Sequence, residues 1–95
     1  MIYILEKVNI EKGKTSGVAV GAKCTGNYAS VFGENKELDF IEDANNIELG
    51  DQLVVSSGLW GPFLRCSPII EILEQDKTGA TFKTRSSTYQ FTIKE

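Results

Sequence analysis

The sequence predicts an all-β protein, a small antiparallel β-barrel of SH3-like or OB-like type with six to seven short strands. Two observations predict it. Apolar and polar residues alternate with a period of two near the C-terminus, as they do in a half-buried antiparallel sheet. Glycine-containing turns separate short apolar runs, and no segment has a long 3.6-residue period. The chain has 95 residues, which is room for one core, so we expect a single β domain over residues 1–95.

Short apolar runs bounded by polar or glycine-containing turns predict the strands of the first two thirds of the chain. These strands are residues 1–8, 28–32, 52–55 and 63–66, and residues 18–20 could open a further short strand. Pro62 lacks a backbone donor and biases Gly61 away from helix, so a strand that begins after Pro62 is favoured. Residues 38–41 are too few for periodicity to distinguish a strand from one helical turn, and both interpretations stay open.

The last third of the chain has the clearest pattern. Residues 69–74 are predicted as a strand, residues 76–79 as a turn, and residues 80–85 as a strand with alternating sides. After a turn at residues 86–87, every second side chain up to the C-terminus is apolar again. We expect these strands to share one core that contains Ile70, Ile72, Phe82, Tyr89, Phe91 and Ile93.

Charge and hydropathy limit the partners and the compartment. The net charge is −3 and the ten basic residues are scattered, which argues against a nucleic-acid partner, because binding a phosphate backbone needs clustered Lys and Arg. No apolar run approaches the ~20 residues of a membrane span, so we expect no membrane contact. No signal peptide is recognisable after Met1. A cytoplasmic location follows, with Cys24 and Cys66 both reduced.

The absence of histidine argues against an enzyme. It removes the usual general base, the usual partner of a Ser or Cys nucleophile, and the commonest zinc ligand. Two cysteines alone cannot build a tetrahedral structural zinc site. We therefore predict no catalytic residue, no metal site and no cofactor.

A loop that contains the one tryptophan is the first candidate site. Gly58 and Gly61 bracket Trp60, and glycine-flanked loops rarely pass through an interior. Aromatic side chains dominate binding hot spots, and Pro62 stiffens the loop. We predict Trp60, Pro62 and Phe63 as partner-binding residues. The alternative interpretation is that Trp60 is a lid that closes one end of the barrel.

Two arginines with neighbouring hydroxyls form the second candidate site. If the strands that begin at residues 63 and 80 run close together, two guanidinium groups could converge on one anion, since Arg binds phosphate and carboxylate well. The residues of this alternative ligand site are Arg65, Ser67, Thr84, Arg85 and Ser87. The competing interpretation is an ordinary hairpin turn with two solvated arginines.

The C-terminal third also carries a recognisable pattern. Residues 64–72 and 82–89 resemble a signature L-R-T-S-P-[VI]-x-x-[IV] followed by F-x-T-x-[NS]-S-x-Y. A group of small, uncharacterised bacterial and phage proteins ends in this way. Cys66 stands where threonine is usual, and Ser86 where asparagine is frequent. The resemblance implies a phage, prophage or mobile-element accessory protein and supplies no catalytic residue.

The acidic balance and the loop around Trp60 together predict a non-catalytic binding module. With the origin that the resemblance implies, we expect a phage or mobile-element accessory protein that binds a host protein. A homodimer stays open. The alternative function is a small anionic-ligand or nucleotide-binding protein that uses Arg65 and Arg85.

Overall fold

A computed structural model describes residues 1–10, 22–33, 36–58, 61–85 and 87–95 of the chain. Within these residues the protein is all-β, which confirms the predicted class: it has nine β-strands and one three-residue 3-10 helix. That helix is far shorter than the ~20 residues that a membrane-spanning helix requires. The strand predicted at residues 18–20 lies outside the described residues.

The nine strands exceed the six to seven predicted from the sequence. Their bounds are β1 Ile2–Ile10, β2 Lys23–Gly26, β3 Tyr28–Gly33, β4 Lys36–Phe40, β5 Gln52–Ser56, β6 Phe63–Arg65, β7 Ile69–Asp76, β8 Gly79–Thr84 and β9 Ser87–Lys94. No predicted strand corresponds to β2, which is short and polar. β4 covers most of the segment for which strand and helical turn stayed open, and its pairing with β3 makes it a strand.

The strands form two antiparallel sheets. A five-stranded sheet has the order β2-β1-β9-β8-β7, and a four-stranded sheet has the order β4-β3-β5-β6. Backbone pairing among the described strands does not close them into one barrel. The consecutive pairs β7-β8 and β8-β9 are hairpins, as the alternating C-terminal pattern predicted.

The two sheets meet closely where β2 turns into β3. Only Asn27 separates these strands, and its side chain accepts a hydrogen bond from the Gly58 amide at 3.0 Å. A side chain at Gly26 would collide with the carbonyl of Ser56, so this crossing requires glycine. The thiol of Cys24 donates to the carbonyl of Val55 at 3.3 Å. These contacts bring the β2 edge of one sheet onto the other.

The core lies between the sheets and contains residues from both. Its buried apolar members are Tyr3, Leu5, Ala29, Val31, Ile41, Ala44, Ile47, Leu53, Val55, Cys66, Ile69, Ala80, Phe82, Tyr89, Phe91 and Ile93. The rings of Tyr3 and Phe91 stack at 6.2 Å, and those of Phe82 and Tyr89 at 5.8 Å. Four of the six predicted core residues are therefore buried, and Ile72 packs against the cluster from its edge.

The prediction that Ile70 belongs to the core is wrong. Its side chain is 59% exposed, and its neighbour Ile69 is buried instead. The cause is a pair of irregularities in β7, where the pairing with β8 shifts at Ile70 and again at Leu73. Each shift adds one residue to β7, so the side chains that face the core, Ile69 and Ile72, are three residues apart.

Polar contacts attach the segment between β4 and β5 to the sheets. The side-chain amide of Gln75 donates to the carbonyls of Ala44 and Ile47, both at 2.8 Å. Lys36 at the start of β4 donates to the carboxylate of Asp51 at 2.7 Å, and that carboxylate also accepts from the Glu48 amide at 2.9 Å. Each buried polar group named here therefore has a partner, as burial requires.

Candidate partner-binding surface

The four-stranded sheet is apolar on both of its faces. Its inner face contributes Ala29, Val31, Leu53 and Val55 to the core, all of them buried. Ala29 lies opposite Val55, and Val31 opposite Leu53. Because successive side chains of a strand point to opposite faces, the residues between these face away from the core. In an antiparallel sheet with one wetted side, those positions are normally polar.

The outward positions of this sheet are instead rich in aromatic and aliphatic residues. We call this surface the outer face; it comprises Tyr28, Ser30, Phe32, Leu38, Phe40, Gln52, Val54, Ser56, Phe63 and Arg65. One row runs across all four strands from Phe40 through Ser30 and Val54 to Arg65. A second row joins Tyr28, Ser56 and Phe63 across β3, β5 and β6. The apolar side chains are thus neighbours in space.

Three apolar side chains of the outer face are open to solvent. Leu38, Phe40 and Phe63 are 58%, 62% and 66% exposed. The rings of Tyr28 and Phe40 lie 6.0 Å apart between centroids and are inclined by 50°. Four of the eight aromatic residues that the structure describes lie on this face, and the other four are in the core. A contiguous exposed apolar surface of this kind is typical of an interaction site.

The structure gives different positions to the three predicted partner-binding residues. Phe63 lies on the outer face, in the edge strand β6. Pro62 is exposed, and its carbonyl accepts a hydrogen bond from the Ser57 amide at 3.0 Å, which closes the loop before β6. Trp60 lies outside the described residues, so its prediction as a binding residue stays a prediction.

The five residues of the predicted anion site do not share one exposed surface. Arg65 is on the outer face, and Ser67 and Arg85 are also exposed. Thr84 and Ser87 are buried, each 1% exposed, and the Thr84 hydroxyl donates to the Ser87 carbonyl at 3.3 Å. β6 and β8, which carry the arginines or lead into them, belong to different sheets. The hydroxyls of Thr84 and Ser87 therefore face the protein interior.

Most residues of the outer face are not among the site residues predicted from the sequence. Leu38 and Phe40 lie in β4, the segment left open between strand and helical turn. Tyr28 and Phe32 alternate with core residues in β3, and this signal was visible in the sequence. The alternation of residues does not indicate which of the two apolar faces of the four-stranded sheet packs against the five-stranded sheet. Tertiary packing determines that face.

Both cysteines are free thiols, and burial makes them poor nucleophiles. Burial raises the pKa of the Cys66 thiol to about 11, although the backbone amide of Leu53 donates to its sulfur at 3.2 Å. Burial also raises the pKa of Cys24. Because the thiolate is the reactive form, these shifts lower the reactivity of both thiols at neutral pH.

Two other titratable groups are buried on the same side of the five-stranded sheet. Lys7 is fully buried in β1, where sequence analysis expected an apolar strand, and burial lowers the pKa of its ammonium group. Burial, followed by the charge of Cys66, raises the pKa of Tyr89. The Ser87 hydroxyl lies near enough to Tyr89 to oppose that shift, but its geometry falls short of a hydrogen bond. These shifts disfavour the charged form in each case.

Other candidate chemistry is sparse in the described part of the chain. No group of three or more Cys, Asp or Glu side chains there is arranged to hold a metal ion.

No family model, curated protein or solved structure matches this chain at a significant level. Function is therefore inferred from the geometry of this chain alone.

Proposed function

We propose that this protein is a non-catalytic protein-binding module and that the outer face of the four-stranded sheet is its binding surface. The observation that supports the proposal most is the exposure of Leu38, Phe40 and Phe63 on a face that is continuous with half-buried Tyr28 and Phe32. Burial of apolar surface is favourable by ~25 cal/mol per Å². Each of these side chains would therefore contribute favourably to the free energy of binding a partner that covers this face.

The charge of the outer face favours a protein over a nucleic acid. Arg65 is the one basic side chain among the residues of this face, and the whole chain has a net charge of −3. Stacking of bases on aromatic rings usually operates beside a basic groove that follows the phosphates. Without such a groove, apolar burial against a protein is the better match, with Arg65 as a single polar anchor.

Several finer expectations stay predictions within this proposal. They are the SH3-like or OB-like class of the fold, an origin in a phage or mobile element, a host protein as the partner, and a cytoplasmic location. The close approach of β2 to β5 supports a partly open barrel, because it brings the edge strand of the five-stranded sheet against the four-stranded sheet. The acidic balance of the chain supports a partner with basic groups.

The second candidate function is the binding of a small anion or nucleotide by Arg65 and Arg85. Exposure of both side chains, together with Ser67, supports it. The burial of Thr84 and Ser87 removes two of the five predicted ligand groups from a solvent-facing site. The protein-binding proposal is therefore the stronger of the two.

Site-specific photocrosslinking tests the proposed surface. Benzoylphenylalanine would be placed at Phe63 or Phe40 on the outer face, and at Gln90 as a control. Gln90 is exposed on the opposite side of the protein, because its neighbours Tyr89 and Phe91 point into the core. Crosslinking is carried out in cells of the organism that encodes the protein.

The expected result is one protein adduct that forms from Phe63 and Phe40 and is absent from Gln90. An adduct of the chain with itself at the outer-face positions assigns the surface to a homodimer. No adduct from the outer face, or the same adduct in equal yield from Gln90, contradicts the proposal.

A further inference from the structure

A small cavity opens at the end of the outer face, where β3 begins and β4 ends. Its volume is about 220 Å³, and its walls include the rings of Tyr28 and Phe40 and the side chain of Glu42. We call it the aromatic pocket. Drug-sized ligands occupy cavities of roughly 300–1,000 Å³, so this pocket suits a single long side chain.

The two rings of the aromatic pocket are arranged to accept a cation. Their centroids lie 6.0 Å apart and their planes are inclined by 50°, so the rings form an open angle and are not stacked face to face. The face of an aromatic ring is electronegative and attracts a cation within about 6 Å of its centroid. At this separation the two rings contact each other, so a cation would lie against the exposed Phe40 ring beside the pair and not between the rings.

A carboxylate completes the pocket. Glu42 is exposed, and within the described residues it forms no ion pair. Burial raises the pKa of the Tyr3 phenol, and the charge of Glu42 raises it further, which shows that the two side chains lie close together. The Tyr3 hydroxyl donates to the sulfur of Met1 at 3.4 Å and therefore leaves the carboxylate free to accept another donor. Lys77 lines the adjoining hollow that shares Glu42.

We propose that the aromatic pocket binds a lysine or arginine side chain of the protein partner. Its charged end would lie against Glu42, and its aliphatic stem over Tyr28 and Phe40. This proposal rests on the proposed function. The aromatic pocket opens beside the exposed ring of Phe40, which belongs to the outer face. A second copy of this acidic chain is the poorer occupant, since each copy has a net charge of −3.

Titration with short peptides, monitored by amide NMR spectra, tests this inference. The probes are acetyl-Gly-Lys-Gly-amide and its matched analogue with norleucine, which keeps the aliphatic stem and lacks the charge. The lysine peptide is expected to shift the amide signals of Ala29, Ile41 and Glu42 in a saturable way. We expect the norleucine peptide to bind about fivefold more weakly or not at all, as loss of a cation–π contact implies.

Two charge variants separate a local contact from a general effect of charge. Glu42→Gln is expected to weaken the lysine peptide by about fivefold, and Phe40→Leu, which keeps an apolar side chain, by a similar factor. Glu71→Gln removes one exposed carboxylate from β7 and is expected to leave binding unchanged. Dispersed amide spectra of each variant show that the fold is retained.

Equal binding of the two peptides, or an equal loss in Glu42→Gln and Glu71→Gln, overturns the inference. A failure of the pocket to bind lysine is distinguishable from a failure of the proposed function. Crosslinking at Phe63 that is insensitive to Glu42→Gln overturns the pocket and leaves the binding face in place. Lysine-peptide binding without any crosslink at Phe63 supports the pocket and contradicts the proposed partner surface.

Discussion

Replacing Phe91 with alanine is expected to cost about 3–5 kcal/mol of unfolding free energy. The ring is 1% exposed, and it stacks on Tyr3 at 6.2 Å with the two planes only 4° apart. It lies in β9 opposite Leu5 on one side and Ala80 on the other, so the cavity would open at the centre of the five-stranded sheet. A loss of this size is a large share of the ~5–15 kcal/mol that stabilises a small domain.

Urea unfolding followed by circular dichroism measures this loss. Gln90→Ala is the matched control, because Gln90 is the neighbouring residue of β9 and points to solvent. Its free energy of unfolding should stay within about 0.5 kcal/mol of the original protein. If Phe91→Ala is also that close to the original protein, the assignment of Phe91 to the core is wrong.

Lys36→Met is expected to destabilise the protein by about 2–3 kcal/mol, because it leaves the Asp51 carboxylate buried without its cation. The Asp51 side chain is 5% exposed, and its distance to the Lys36 ammonium is 2.7 Å. Removing one partner of a fully buried pair costs roughly 3–5 kcal/mol. We expect less here, since the Lys36 side chain is 21% exposed and water can partly replace it.

The double variant Lys36→Met/Asp51→Leu is the control for this prediction. Replacing both charges by apolar groups should recover most of the loss, whereas a double variant as unstable as Lys36→Met would contradict a charge effect.

The pH dependence of the free energy of unfolding gives an independent check of this ion pair. Burial lowers the pKa of Lys36, but the hydrogen bonds and charges of Asp51 and Glu48 together raise it by more, so its pKa in the folded protein is above the usual 10.5. The stabilisation is therefore complete below pH ~10 and is lost as the pH rises through the raised value.

Period-two alternation predicted the C-terminal hairpin and its buried side chains, because β8 and β9 are regular strands that are covered on one face. The same rule failed at Ile70, because β7 contains two extra residues and its core-facing side chains, Ile69 and Ile72, are three residues apart. A bulge cannot be recognised from the order of apolar and polar residues alone. The strand count was low for a related reason, since β2 is short, polar and held mainly by its partners.

The candidate site could be predicted only in part. Phe63 was found through its position after a glycine- and proline-containing loop. Phe40 was missed because five residues of β4 are too few to show a period, and pairing with β3 determines their conformation. Tyr28 and Phe32 were seen to share one side of a strand, but an apolar side chain in a strand is usually a core residue. Which side the second sheet covers depends on contacts that are distant in sequence.

The most direct test of the binding surface compares two pairs of exposed apolar residues. Phe40→Ser/Phe63→Ser removes the two exposed phenylalanine rings of the outer face, and Ile70→Ser/Leu73→Ser removes two side chains of similar exposure from β7. The measurement is the affinity for the protein crosslinked at Phe63, together with the free energy of unfolding. We predict that the outer-face variant loses at least about hundredfold in affinity, as expected for two interface hot spots. Its stability should stay within about 1 kcal/mol of the original protein, and the β7 variant should bind normally. Normal binding by the outer-face variant, or a loss confined to the β7 variant, would contradict the assignment.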